Sequence, residues 1–217
     1  MLAALTALLI FFACAANAQA PREAALIAAA GAGDSALVAR LLREGADIDA
    51  RDVDGATALL AATRSNHVAV ARLLIRAGAD VNAADKLMDS AYLLAGARGH
   101  TEILKLTLGA GADLTSTNRF GGTALTPACH YGHVDTVRVL LATRVDINQV
   151  NRLGWTCLLE AVILGDGGPR HVQIVRMVVA AGARIDLADR QGVTPLAHAR
   201  RRGKAQIVEI LRAAGAR

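Results

Sequence analysis

Along residues 68–75 the chain reads Val-Ala-Val-Ala-Arg-Leu-Leu-Ile, which puts Val70, Leu73 and Leu74 on one face at helical spacing. Asn66-His67 precedes this stretch and Gly78-Ala79-Asp80 follows it. A glycine there supplies the positive φ with which helices commonly stop, and Gly111 and Gly182 occupy equivalent places. Upstream, Thr57 and Thr123 stand just before Leu59 and Leu125, so both threonines are predicted to cap a helix. The predicted unit is turn, helix, tight turn, helix. Neither helix buries its apolar face alone, so units have to stack on their neighbours.

The unit recurs. Gly45-Ala46-Asp47, Gly78-Ala79-Asp80, Gly111-Ala112-Asp113 and Arg144-Val145-Asp146 follow one another at steps of 33 residues, and Gly182-Ala183-Arg184 comes 38 later. A second column, Asp52, Asp85, Asn118, Asn151 and Asp189, keeps the same steps. So does a third, His67, His100, His133 and His171. Through these columns, and through Asp189-x-x-Gly192-x-Thr194-Pro195-Leu196 and Asp52-x-x-Gly55-x-Thr57-Ala58-Leu59, the chain resembles the ankyrin-repeat family over roughly residues 21–217. The resemblance implies an all-α solenoid of about six units, at about 21–51, 52–84, 85–117, 118–150, 151–188 and 189–217. Met88-Asp89-Ser90 replaces Gly-x-Thr in the third unit, so a distorted turn is expected there. Gly165 to Arg170 inserts five residues in the fifth, read as an enlarged helix-to-helix turn, with an anion or partner contact as the sharper alternative.

Residues 1–16 break the pattern: MLAALTALLIFFACAA carries no charged side chain. The run falls short of the roughly 20 residues a transmembrane helix needs. With Ala16-Asn17-Ala18 after it, residues 1–18 read as a signal peptide cleaved after Ala18, and the mature chain as periplasmic or secreted. The n-region lacks Lys and Arg. A lipoprotein signal ending at Cys14 and a membrane anchor through residues 1–16 are the alternatives.

Composition adds little until it is divided. The 217 residues are 53% hydrophobic, 3% aromatic and 20% charged, which excludes a disordered chain, and three cysteines exclude a disulfide-dense one. The net charge of +5 is carried by residues 189–217, the remainder being close to neutral. No acid pair, Ser-His-Asp order or phosphate-cradling glycine motif is present, so no catalytic residue and no cofactor are expected. Cys129-His130-x-x-His133 has no further ligands at a useful spacing, so no metal is expected either. The histidine column reads as hydrogen bonds tying neighbouring turns.

Removal of the signal leaves Cys129 and Cys157. Cys157 aligns with Ala124, five residues and about 7.5 Å of helix before Cys129. Adding a spacing of about 8 to 10 Å between packed helices puts their Cα atoms about 11 to 12 Å apart, beyond disulfide reach. Two free, buried thiols are expected.

Ankyrin-type proteins bind through turn tips and the concave helix face, so the resemblance implies a non-catalytic protein-protein interaction module or scaffold. Its expected partner-binding residues, in repeats 3–5, are Lys86, Leu87, Arg119, Phe120, Arg152, Leu153 and Trp155, basic and apolar groups on turns that are usually polar. Folding of these side chains onto neighbouring turns is the competing explanation. The partner is expected to be a protein; an exported enzyme fits the helper or inhibitor role of some exported bacterial relatives. The chain is expected to be a monomer. The alternative function is electrostatic attachment of Arg200, Arg201, Arg202 and Lys204 to an anionic membrane surface, glycolipid or nucleic acid, against which stands a polar terminal cap. Nucleic acid is not expected, for want of stacking platforms.

Overall fold

A computed structural model describes residues 20–217, among which all regular structure is helical. The expected signal peptide and its cleavage point lie outside the described residues. Six helix pairs follow one another: α1 (20–32) with α2 (Ser35–Arg43), α3 (Ala58–Arg64) with α4 (Val68–Arg76), α5 (Ala91–Arg98) with α6 (Thr101–Gly109), α7 (Leu125–His130) with α8 (Val134–Leu141), α9 (Cys157–Ile163) with α10 (Pro169–Ala180), and α11 (Pro195–Arg201) with α12 (Ala205–Ala213). First helices pack on first helices in the series α3, α5, α7, α9, α11, and second helices on second helices from α2 to α12. One apolar core therefore runs from Leu26 to Leu211. Each fully buried Leu or Ile, such as Leu59, Leu74, Ile103 and Leu140, contributes about 1.5 to 3 kcal/mol to holding its unit against the next.

Of the two expected caps, Thr57 forms and Thr123 does not, while three further caps appear on first helices. Thr57, Ser90, Thr156 and Thr194 accept at their side-chain oxygens from Leu60, Leu93, Leu159 and Ala197 N–H, each at 3.2 Å. Thr123, expected to do the same, does not: among the described residues its buried hydroxyl has no partner, and Ala124 occupies the cap position. Proline explains the difference. In the other units the residue four beyond the cap closes the first turn on the cap carbonyl, as Ala61 does on Thr57. Here that residue is Pro127, which has no N–H. Thr126 N–H turns to the Thr123 carbonyl instead, at 3.2 Å, and is lost to the hydroxyl.

The third turn is less distorted than its sequence suggests. Asp85 N–H donates to Asp89 carbonyl and Met88 N–H to Asp85 carbonyl, matching the Asp52–Ala56 and Gly55–Asp52 bonds of the second unit. The cost is concentrated at Met88, whose φ of +62° lies where Gly55, Gly121, Gly154 and Gly192 stand elsewhere.

A further set of ties comes from the residue four beyond Gly45, Gly78, Gly111, Arg144 and Gly182, the first positions of the second-helix stops. Asp49, Asn82, Asn148 and Asp186 accept the backbone N–H of Asp80, Asp113, Arg184 and Arg217 in the following unit, at 2.8 to 3.0 Å. Thr115 holds this position in the third unit, and its hydroxyl turns back to Asp113. The histidine column ties units too, but unevenly. Nε2 of His67, His133 and His171 meets the carbonyls of Gly31, Ala97 and His130. His100 breaks the expectation: its Nε2 is buried and unpaired, because the equivalent carbonyl, of Arg64, accepts from Arg98.

Cys129 and Cys157 form a disulfide, Cα to Cα 5.5 Å, which overturns the expectation of two free thiols. The error lay in assuming that equivalent residues of successive first helices sit at equal height. Residues 28 apart face each other: a Cβ on Gly96 would come within 2.6 Å of the Ala124 Cβ, and Cys129 and Cys157 are the same pair one unit later. The axial offset therefore vanishes. Facing Cα atoms also lie inside the helix axes by about 2.3 Å each, so axes about 8 to 10 Å apart leave roughly 3.5 to 5.5 Å between them.

The insertion is an ordered turn. Asp166 accepts from Gly168 N–H at 2.8 Å and meets His171 Nδ1 at 2.7 Å, and Pro169 opens α10. Part of the added chain thus lengthens that helix to 12 residues, against 8 or 9 for the other second helices from α2 to α12.

Candidate functional site

A groove of about 830 Å³ runs along α5, α7 and the start of the α9 exit, bounded on its other side by the turn tips of the third to fifth units. Arg119, Phe120 and Leu153 of the expected binding set line it. Leu87, Phe120 and Leu153 are 53%, 52% and 50% exposed, so this apolar row does not fold back onto neighbouring turns.

The other expected residues are placed differently. Lys86 donates through Nζ to the Val53 carbonyl at 2.7 Å, and Arg152 lies across Gly121 of the preceding tip. Trp155 is half-buried, with its carbonyl bound by Asn151 N–H, and does not line the groove. At the C-terminal cluster, Lys204 donates to the carbonyls of Val162 and Gly165, taking the place that histidine holds in other units, and desolvation lowers its pKa. Arg202 bonds the Ile163 carbonyl and His198. Only Arg200 and Arg201 of that cluster remain exposed without such a contact.

The groove is chemically divided along its length. Toward the third unit, Arg119 stands 4.7 Å over the Phe120 ring and 3.5 Å from Asp89, whose pKa is raised by burial and then by Asp85. Arg98 borders the same end. Toward the fifth unit lies Glu160, only 7% exposed. Asn151 donates to one of its oxygens at 2.8 Å, and His130 Nδ1 stands 3.6 Å from the other. Burial pushes the Glu160 carboxyl up to about 7, while burial and the nearby His171 lower His130. His130 stacks on Tyr131, ring centroids 4.2 Å apart, and exposed Leu164 closes the wall.

Glu160, His130 and Tyr131 escaped the sequence reading as site residues. A signal existed for Glu160: the column four residues beyond Thr57, Ser90, Thr123, Thr156 and Thr194 reads Ala61, Leu94, Pro127, Glu160 and His198. Among the described residues no three His, Cys, Asp or Glu side chains converge as a metal site would need, and the Cys129 sulfur is committed to the disulfide.

This arrangement of paired helices and tips is that of an ankyrin solenoid. The family model for ankyrin repeats (three copies) matches residues 1–85 and 90–189, and the chain belongs to the ankyrin-repeat family. It is similar to the crystal structure of an ankyrin repeat domain from Acinetobacter baumannii AYE, 54% identical, covering 88% of this chain and 98% of that one at a TM-score of 0.86. It is also similar to the ankyrin-repeat protein EF0377, 38% identical over 90% of this chain and 98% of that one, with a TM-score of 0.85. The curated Escherichia coli (strain K12) protein YahD is 47% identical over 58 residues, a match spanning 27% of this chain and 29% of YahD. Ankyrin repeats in general are protein-protein interaction modules.

Proposed function

We propose that this protein is a non-catalytic binding module that holds a protein partner in the groove of the third to fifth units. The observation that carries this reading is that Leu87, Phe120 and Leu153 stand half-exposed on three successive tips, with Phe120 and Leu153 lining the groove. Binding hot spots favour aromatic and arginine anchors, and Arg119 over the Phe120 ring supplies such a pair. Export is part of the proposal. Its supports are the uncharged run at residues 1–16 and the disulfide, a bond that persists in oxidising compartments.

The test is affinity capture from the periplasmic fraction with wild type and with an Arg119→Ala, Phe120→Ala, Leu153→Ala triple variant. The variant is expected to lose the bands that wild type retains while keeping its helical circular dichroism. Unchanged capture rejects the groove. N-terminal sequencing of the same material is expected to begin at Gln19, and an intact Met1 rejects export with cleavage.

A further inference from the structure

The two ends of the groove treat charge differently. At the third-unit end, Arg119 and Asp89 neutralise each other. At the fifth-unit end, Glu160 has no charged cation beside it among the described residues. The elements packed on α9 offer several: His130 on α7, Arg170, His171 and Arg176 on α10, His198, Arg200 and Arg201 on α11, and Arg152 on the adjoining tip. His171 is committed to Asp166 and His198 to Asp189. Of these cationic groups, among the described residues, His130 alone comes within 4.0 Å of the Glu160 carboxyl, and burial and the nearby His171 lower its pKa. A buried acid with one amide partner and no counter-charge is costly, and a matching cation that fills the space removes the cost. Beside it, Leu153 and Leu164 present apolar wall.

We propose that the fifth-unit end of the groove takes a cationic side chain of the protein partner, its alkyl stem lying on Leu153 and Leu164 and its ammonium meeting the Glu160 carboxylate. This rests on the groove being the binding site and adds the chemistry of the anchor that it selects. Binding is linked to ionisation of Glu160. The carboxyl is raised to about 7, so a cation meets mostly carboxylate at pH 8 and mostly carboxylic acid at pH 6. Affinity for the cation therefore falls about tenfold between pH 8 and pH 6.

Three probes with one six-carbon stem separate the possibilities: hexylammonium, hexan-1-ol and hexanoate, titrated into the full chain while the methyl resonances of Leu153 and Leu164 are followed by NMR. At pH 8 hexylammonium is expected to bind at least about tenfold more tightly than hexan-1-ol, a preference that vanishes near pH 6. Glu160→Gln is expected to bring hexylammonium down to the hexan-1-ol value at both pH values. If that variant fails to fold, the wild-type pH profile decides alone. Equal binding of hexylammonium and hexan-1-ol at pH 8 overturns the cation inference while leaving the groove as an apolar site. Tightest binding by hexanoate overturns it in favour of the arginine end. No shift with any probe overturns the inference and the groove reading together.

Discussion

Reducing the Cys129–Cys157 bond tests the packing register of the solenoid more directly than any substitution, because both sulfur atoms stay in place and no cavity is made. The bond spans 28 residues and joins the first helices of adjacent units. Constraining a loop of that length in the unfolded chain stabilises the folded state by about 3.5 kcal/mol in the chain-entropy account. For a domain of this size, 1 kcal/mol moves Tm by roughly 2 to 4 °C, so the oxidised protein is expected to melt about 7 to 14 °C above the reduced one. The assay compares two samples by thermal circular dichroism: one oxidised, the other reduced in urea and refolded with a phosphine reductant. Tryptic mapping without reductant establishes the bond, since cleavage isolates Cys129 in Phe120–Arg138 and Cys157 in Leu153–Arg170. A linked pair of those peptides is expected. Two free peptides from oxidised material would refute the staggered packing of α7 on α9, and equal Tm values with the link present would refute the stabilising role.

Met88→Gly relieves a left-handed residue whose side chain is 41% exposed, and is expected to raise stability by about 1 kcal/mol in urea unfolding; a loss would show that Met88 packs against the tip. Thr57→Ala and Thr156→Ala remove a cap bond and are expected to cost about 1 kcal/mol each. Thr123→Val removes only an unpaired buried hydroxyl and is expected to cost nothing or to stabilise, so a loss matching the other two refutes the uncapped geometry. Glu160 is raised in the folded state from its ordinary 4.5 to about 7, so its contribution is fully present below pH 4.5 and is lost as pH rises to 7. Glu160→Gln is accordingly expected to flatten the wild-type decline over that window, with an upper limit of about 3 kcal/mol at pH 8, measured by urea unfolding at half-unit steps.

What periodicity can reveal was legible and what depends on the offset between units was not. The helix stops at Gly78, Gly111 and Gly182 follow from local backbone demand, and all three take positive φ. The disulfide depends on which residues of two helices face each other, and a 33-residue spacing says nothing about a 28-residue facing distance. Thr123 shows the same limit at shorter range: a cap residue alone does not make a cap when the fourth residue beyond it is proline. The apolar tips were visible as a column, whereas Glu160 was hidden inside one, an acid in a position that elsewhere holds Ala61, Leu94, Pro127 and His198.

Five departures from the repeating pattern fall together, although Asn66 at a φ of +57° and Lys204 in the histidine column stand in the second and sixth units. Met88 strains the third tip, His100 has lost its carbonyl, Thr115 does not strap the fourth unit, Thr123 leaves α7 uncapped, and Glu160 is buried without a cation. All five belong to the third, fourth and fifth units, the ones that build the groove. In a solenoid whose stability is a sum of unit and neighbour terms, losses concentrated in three adjacent units weaken one stretch, and the interfaces there need another source of cohesion. The disulfide lies between two of those units and supplies it. Sequences that break local rules tend to do so where function asks for it. Consensus changes at Met88, Thr115 and Pro127 should therefore raise stability together, while substitutions at Phe120, Leu153 and Glu160 test the proposed partner binding.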